Sequence, residues 1–150
     1  MLKTEAISVP GVDLQAKQRR IEVRDAPLAA VYATRRANRV SVVVLSRKLA
    51  GYPAAGDDGY TPVVLELPFS QAKSITLFRM TGDPRADNLL ADNVKIEKVA
   101  IAPAALDGKF VLNAKTGADN RGLAPAATYL YVFDGVSEGR GTSVAPGAKR

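Results

Sequence analysis

The chain is written in short runs of alternating apolar and polar residues, separated at close intervals by glycine, proline or asparagine. A period of two places successive side chains on opposite faces of a strand, so each run reads as a half-buried β-strand. Ile21 and Val23 alternate with Arg20, Glu22 and Arg24. Residues 28–34 and 40–45 follow, the second run carrying four valines in six positions. Valine suits a pleated surface because its branched side chain packs well there. Between the two runs, Arg36-Ala37-Asn38-Arg39 predicts a tight hairpin turn with Asn38 in the left-handed conformation.

Residues 50–60 contain Gly51, Pro53, Gly56, Asp57, Asp58 and Gly59, a composition that predicts an exposed loop. Val63, Leu65 and Leu67 then form a strand that Pro68 ends, and residues 74–80 form another with Ile75 and Leu77 on one face. Thr81-Gly82-Asp83-Pro84 predicts a turn, with Asp83 capping a helical turn that begins at Pro84. Across residues 94–101 the apolar phase changes: Val94 and Ile96 share one parity, Val99 and Ile101 the other. A β-bulge between them would restore one buried face. Phe110, Leu112 and Ala114 predict a further strand. Beyond the turn residues Gly117 and Gly122, residues 129–133 are apolar at both parities and predict a central strand.

The pattern contains about eight strands and no βαβ unit, which predicts an all-β fold: a two-sheet antiparallel β-sandwich, jelly-roll-like. One domain is expected over residues 1–134. Residues 135–150, with four glycines and no large aromatic, are expected to form a flexible tail.

Composition narrows the chemistry. The 150 residues include no cysteine and no histidine. Disulfides, thiolate metal sites and nucleophile–histidine pairs are therefore excluded, and only carboxylate, lysine or tyrosine chemistry remains. No apolar run reaches the length of a membrane span, and Met1 to Pro10 lacks the apolar region of a signal peptide. The net charge is +6. Residues 1–50 carry ten Lys/Arg against four Asp/Glu, whereas residues 51–100 carry five against seven. A phosphate-binding face would use such a cluster, but no aromatic interleaving or recognition motif accompanies it. A solvated basic face is the plainer reading, so nucleic acid is not expected as the partner.

No catalytic residues are expected. Glu22, Glu66 and Glu97 each alternate with apolar strand residues, so they are expected to face solvent, and no phosphate-binding glycine motif occurs. Asp57 with Asp58, or Asp83, Asp87 and Asp92, could offer oxygens to calcium, but the spacing of a calcium loop is absent and no metal or other cofactor is expected. Sugar-binding faces present flat aromatics beside polar groups that fix hydroxyls. Phe78, Phe110, Tyr129, Tyr131 and Phe133 sit in strand patterns and are expected in the core. Tyr52 and Tyr60 instead flank Asp57 and Asp58 in the polar loop, and these four are the candidate ligand-binding residues. The competing role for the tyrosines is to pack down and pin a long loop.

Read in order, several segments resemble the C-terminal β-sandwich domain of retaining glycoside hydrolases with a (β/α)8 catalytic barrel, of the α-L-arabinofuranosidase and β-xylosidase type. These segments are Val42-Val43-Val44-Leu45-Ser46-Arg47, residues 61–68, Met80-Thr81-Gly82-Asp83 followed by Asn88 and Val94, and residues 123–133. The resemblance covers residues 26–134; Ser46 stands where an asparagine is usual. It implies an accessory module whose partner is a catalytic barrel missing from this chain, since the family's acid/base and nucleophile glutamates lie in that barrel. It also implies contact with plant polysaccharide, and a secreted or cell-surface setting. A structural subunit of a capsid or cell surface is the alternative, because jelly rolls serve there too.

Overall fold

The computed structural model describes residues 7–12, 18–23, 27–51, 54–82, 94–103, 106 and 108–137. The helical turn expected at Asp83–Pro84, the aspartates 83, 87 and 92, Tyr52 and residues 138–150 lie outside them. Nine strands are described: β1 (Ile7–Val12), β2 (Gln18–Val23), β3 (Ala29–Arg36), β4 (Arg39–Ser46), β5 (Val64–Glu66), β6 (Ser74–Met80), β7 (Ile96–Ile101), β8 (Lys109–Val111) and β9 (Thr128–Asp134). The large sheet runs β3-β4-β9-β6-β7, the small sheet is β5-β8, and β1-β2 form a separate hairpin; every pairing is antiparallel. The fold is the expected all-β sandwich.

β9 is central, as its double-sided apolar pattern predicts, and it organises the core. Tyr129, Tyr131 and Phe133 point inward and are almost fully buried. Register aligns them with Val44, Val42 and Val40 of β4 on one side, and Leu77 and Ile75 of β6 on the other. Phe110 of β8 covers this face, with ring centres 5.0 Å from Tyr131 and 5.2 Å from Phe133, edge on. Phe69, from the loop before β6, meets Phe133 edge-on at 5.3 Å. Each such aromatic pair adds about 1 kcal/mol beyond the burial of its area. Leu106, Leu112 and Leu123, outside the strands, fill the rest of this layer.

Four local expectations are corrected. At the β3–β4 turn the left-handed residue is Ala37 (φ +51°), not Asn38, because the two-residue connection places its positive φ at the first central position. No bulge interrupts β7: residues 96–101 pair one to one with 75–80, so Ile101 is buried while Ile96 is left on the outer face. Ala114 is not in a strand. β8 ends at Val111, and Asn113 caps a 3-10 turn over Ala114–Thr116. Phe78 is not core; it lies half-buried on the outer face of β6. β1 was not predicted, since Pro10 cannot donate to a ladder and Gly11 has no side chain to pattern. The packed chain also runs past residue 134. Val136 is buried and donates its N–H to the Asn38 carbonyl, and Ser137 N–H reaches Gln71.

Candidate functional site

Strand parity places a charge on the inner face of the large sheet. Arg79 shares its parity with Ile75 and Leu77, and register puts it in one inward row: Val31, Val44, Tyr129, Arg79, Glu97. An unpaired guanidinium there would be costly, so it must be compensated. Its Nε donates to Glu97 Oε2 at 2.7 Å and its Nη1 to the Gly117 carbonyl at 2.7 Å. The Arg79 hydrogen bond, and secondarily its charge, holds Glu97 below the usual carboxylate range. Glu97 is exposed but ion-paired, rather than simply solvated as its alternation implied.

The loop beyond β8 forms a rigid rim over this charged row. Asn113 Oδ1 accepts the Lys115 N–H, and Thr116 Oγ1 accepts the Asn113 N–H. Gly117 then closes the turn at φ +82°, and the Tyr131 hydroxyl donates to the Thr116 carbonyl at 3.1 Å. Burial, foremost, pushes the Tyr131 hydroxyl well above its ordinary pKa. Asp119 accepts from both the backbone N–H and Nε of Arg121, which lower its pKa. Arg121 Nη1 reaches Asp58 Oδ2 at 3.1 Å, and its guanidinium lies 3.8 Å above the Tyr60 ring.

Three of the four candidate ligand-binding residues are therefore described, and their environments differ. Asp57 Oδ2 pairs with Lys48 Nζ at 2.8 Å while Oδ1 accepts the Gly59 N–H, so this carboxylate folds the loop and is held acidic by those contacts. Asp58 accepts the Tyr60 N–H and bridges to Arg121. Tyr60 is half-buried with Arg121 on one face of its ring. Tyr52 lies outside the described residues.

Tyr60 and Arg79 meet at an open cleft of about 420 Å³, whose walls also include Thr81, Asp119, Asn120 and Tyr129. A second cleft of about 320 Å³ lies between β3 and β5, where Val31 and Val64 are exposed; its lining is mainly apolar. Sequence reasoning missed Asp119, Asn120 and Arg121, reading them as part of a turn. The legible signal was Arg79, a charge at the parity of buried Ile75 and Leu77. Asp57, Glu97 and Asp119 all have lowered pKa values, the opposite of what a general acid at neutral pH needs. Among the described residues, no group of three Asp or Glu could hold a metal ion.

No family model and no curated protein matches the chain. Among solved structures, its fold is similar to that of the α-L-arabinofuranosidase from Thermotoga maritima in an arabinose complex, with TM-score 0.59 and 15% identity. The thermostable GH51 α-L-arabinofuranosidase from Thermotoga petrophila gives the same values. Each match covers 87% of this chain, while the chain spans only 24% of those enzymes. The sandwich resembling the one carried by arabinofuranosidase-type hydrolases is thus met at the level of the fold.

Proposed function

We propose that this chain is a non-catalytic accessory sandwich of a glycoside hydrolase, which packs against a (β/α)8 catalytic barrel and meets plant polysaccharide outside the cell. The observation that carries the reading is the asymmetric coverage: 87% of this chain overlies 24% of each arabinofuranosidase, the relation of one domain to a longer enzyme. The lowered pKa values of Asp57, Glu97 and Asp119 argue against a general acid among these three.

The outer face of the large sheet supports a docking role. Register aligns Tyr32, Val43, Leu130, Phe78 and Lys98 in one row across all five strands. Ala30, Leu45, Thr128, Met80 and Ile96 form the next row, in which Ile96 is 71% exposed. A solvated sheet face usually alternates to polar residues, and a contiguous apolar face favours a covering partner.

The test is to assay the purified chain on 4-nitrophenyl α-L-arabinofuranoside and β-D-xylopyranoside and to sediment it. The reading expects no hydrolysis and a monomer. Hydrolysis that disappears in Glu97→Gln or Asp119→Asn would overturn it, and a closed oligomer would favour the structural-subunit alternative.

A further inference from the structure

The geometry points to the cleft between Tyr60, Arg79, Asp119 and Tyr129 as a binding site for a neutral saccharide, a chain end or branch of a polysaccharide. Only the choice of a polysaccharide as the source rests on the accessory-module reading; the ligand chemistry follows from the cleft. Its volume of about 420 Å³ falls within the span of small-ligand sites.

Charge decides the class of ligand. The two charged residues in the walls are Arg79 and Asp119, and each is already compensated, by Glu97 and by Arg121. An anion entering the cleft meets the Asp119 carboxylate, and a cation meets the Arg79 guanidinium. A sugar hydroxyl donates and accepts at once, so it can satisfy both groups without a net charge. Hydrogen-bonding capacity remains to do so. Among the described residues Arg79 uses Nε and Nη1, leaving Nη2 for a ligand. Asn120 and Thr81 make no side-chain hydrogen bond among the described residues, and Tyr129, only 2% exposed, forms part of the wall with its hydroxyl held by the Ala124 backbone.

The walls are also fixed in advance, which reduces the ordering cost of binding. Glu97 and the Gly117 carbonyl aim Arg79, the Asn113–Thr116 cap holds the rim, and Arg121 clamps Tyr60. With one ring face covered, Tyr60 serves as a side wall for sugar C–H groups rather than an open stacking platform. Ala118 and Ala124 add apolar contact beside it.

The experiment is an NMR titration of the whole chain with arabino-oligosaccharides, xylo-oligosaccharides, free L-arabinose and oligogalacturonate in separate arms. A neutral oligosaccharide is expected to shift the Asn120 side-chain amide, Arg79 Nε–H and the backbone amides of residues 117–122, saturably in the millimolar range. Asn120→Ala should weaken binding roughly tenfold, as loss of one or two hydrogen bonds would. Because Asn120 is exposed and makes no side-chain hydrogen bond among the described residues, that variant should fold normally. Absence of these shifts, undiminished binding by Asn120→Ala, or preference for oligogalacturonate would overturn the site. Free arabinose binding as tightly as any oligosaccharide would overturn the polysaccharide source. A silent titration of an inactive monomer would sink this site and leave the accessory reading standing. Shifts accompanied by hydrolysis would uphold the site and sink the accessory reading.

Discussion

Arg79 and Glu97 face one another across β6 and β7, with guanidinium Nε 2.7 Å from the carboxylate, in the same inward row as Tyr129. Glu97 has a lowered pKa, so the folded state binds its proton less readily than the unfolded chain does. The stabilisation is present above the unfolded value, about 4.3, and is lost as pH falls through the lower folded value. Asp57 beside Lys48 and Asp119 beside Arg121 act with the same sign. Glu97→Gln should therefore lower the urea midpoint near pH 7, and the difference from wild type should shrink as pH falls below the unfolded value. A difference that persists unchanged through that window would rule out the ion pair as its origin.

Gly117 and Gly122 both have positive φ, +82° and +104°, but their surroundings differ. A Cβ at 117 would lie 2.5 Å from Leu77 Cδ2, the far end of a side chain packed in the core. A Cβ at 122 would overlap the Thr61 carbonyl oxygen, which is pinned because it accepts the Leu123 N–H. Gly117→Ala is expected to cost about 2–4 kcal/mol, combining left-handed strain with local repacking. Gly122→Ala should cost more, since backbone must move. Chemical denaturation of both variants checks the order, and equal losses would show that the Thr61 segment yields as readily as Leu77.

The core was legible where one physical rule acted alone. Four valines in β4 and the two-sided apolar pattern of β9 both predict their places, because burial fixes parity. The cleft was legible only in part. Tyr60 stood out as an aromatic in a polar loop, but the partners that fix it, Arg121 and Asp58, are separated by 63 residues. No local period encodes a contact made by register between distant strands. Arg79 shares the parity of Ile75 and Leu77, a signal that went unread, and Glu97 became its partner only once β7 paired with β6 without a bulge. Ala37 shows the converse: local preference favours asparagine in a left-handed turn, but the hairpin register decides which position takes the strain.

Thr61 is 4% exposed, and its hydroxyl oxygen has no hydrogen-bond partner among the described residues. Its backbone pairs in both directions with Leu123, so the segment is held in place without the side chain. A buried hydroxyl lacking a partner costs about 1–3 kcal/mol, whereas valine has nearly the same shape and needs none. Thr61→Val is expected to raise stability by about 1 kcal/mol, read as a higher denaturant midpoint at unchanged slope. A loss of stability would show that the hydroxyl is satisfied in solution.

Ala37 and Ala126 hold φ of +51° and +52°, which an L-residue adopts at a cost of about 1–2 kcal/mol. Glycine removes that strain but enlarges the freedom of the unfolded chain, a penalty of about 0.4–1 kcal/mol. The first term is larger, so each alanine-to-glycine change should stabilise the domain by up to about 1 kcal/mol. The two sites are also separate in kind. Ala37 lies at an exposed hairpin tip with few contacts to lose, while Ala126 donates its N–H to the Lys48 carbonyl at 2.8 Å and lies half-buried. Loss of the Ala126 methyl removes some packing, so its gain should be the smaller. Thermal unfolding of Ala37→Gly, Ala126→Gly and the double variant measures both terms, with additive shifts expected for sites that share no partner. A lower melting temperature for Ala37→Gly would mean that the turn tolerates alanine without strain, and that the unfolded-state entropy decides the outcome.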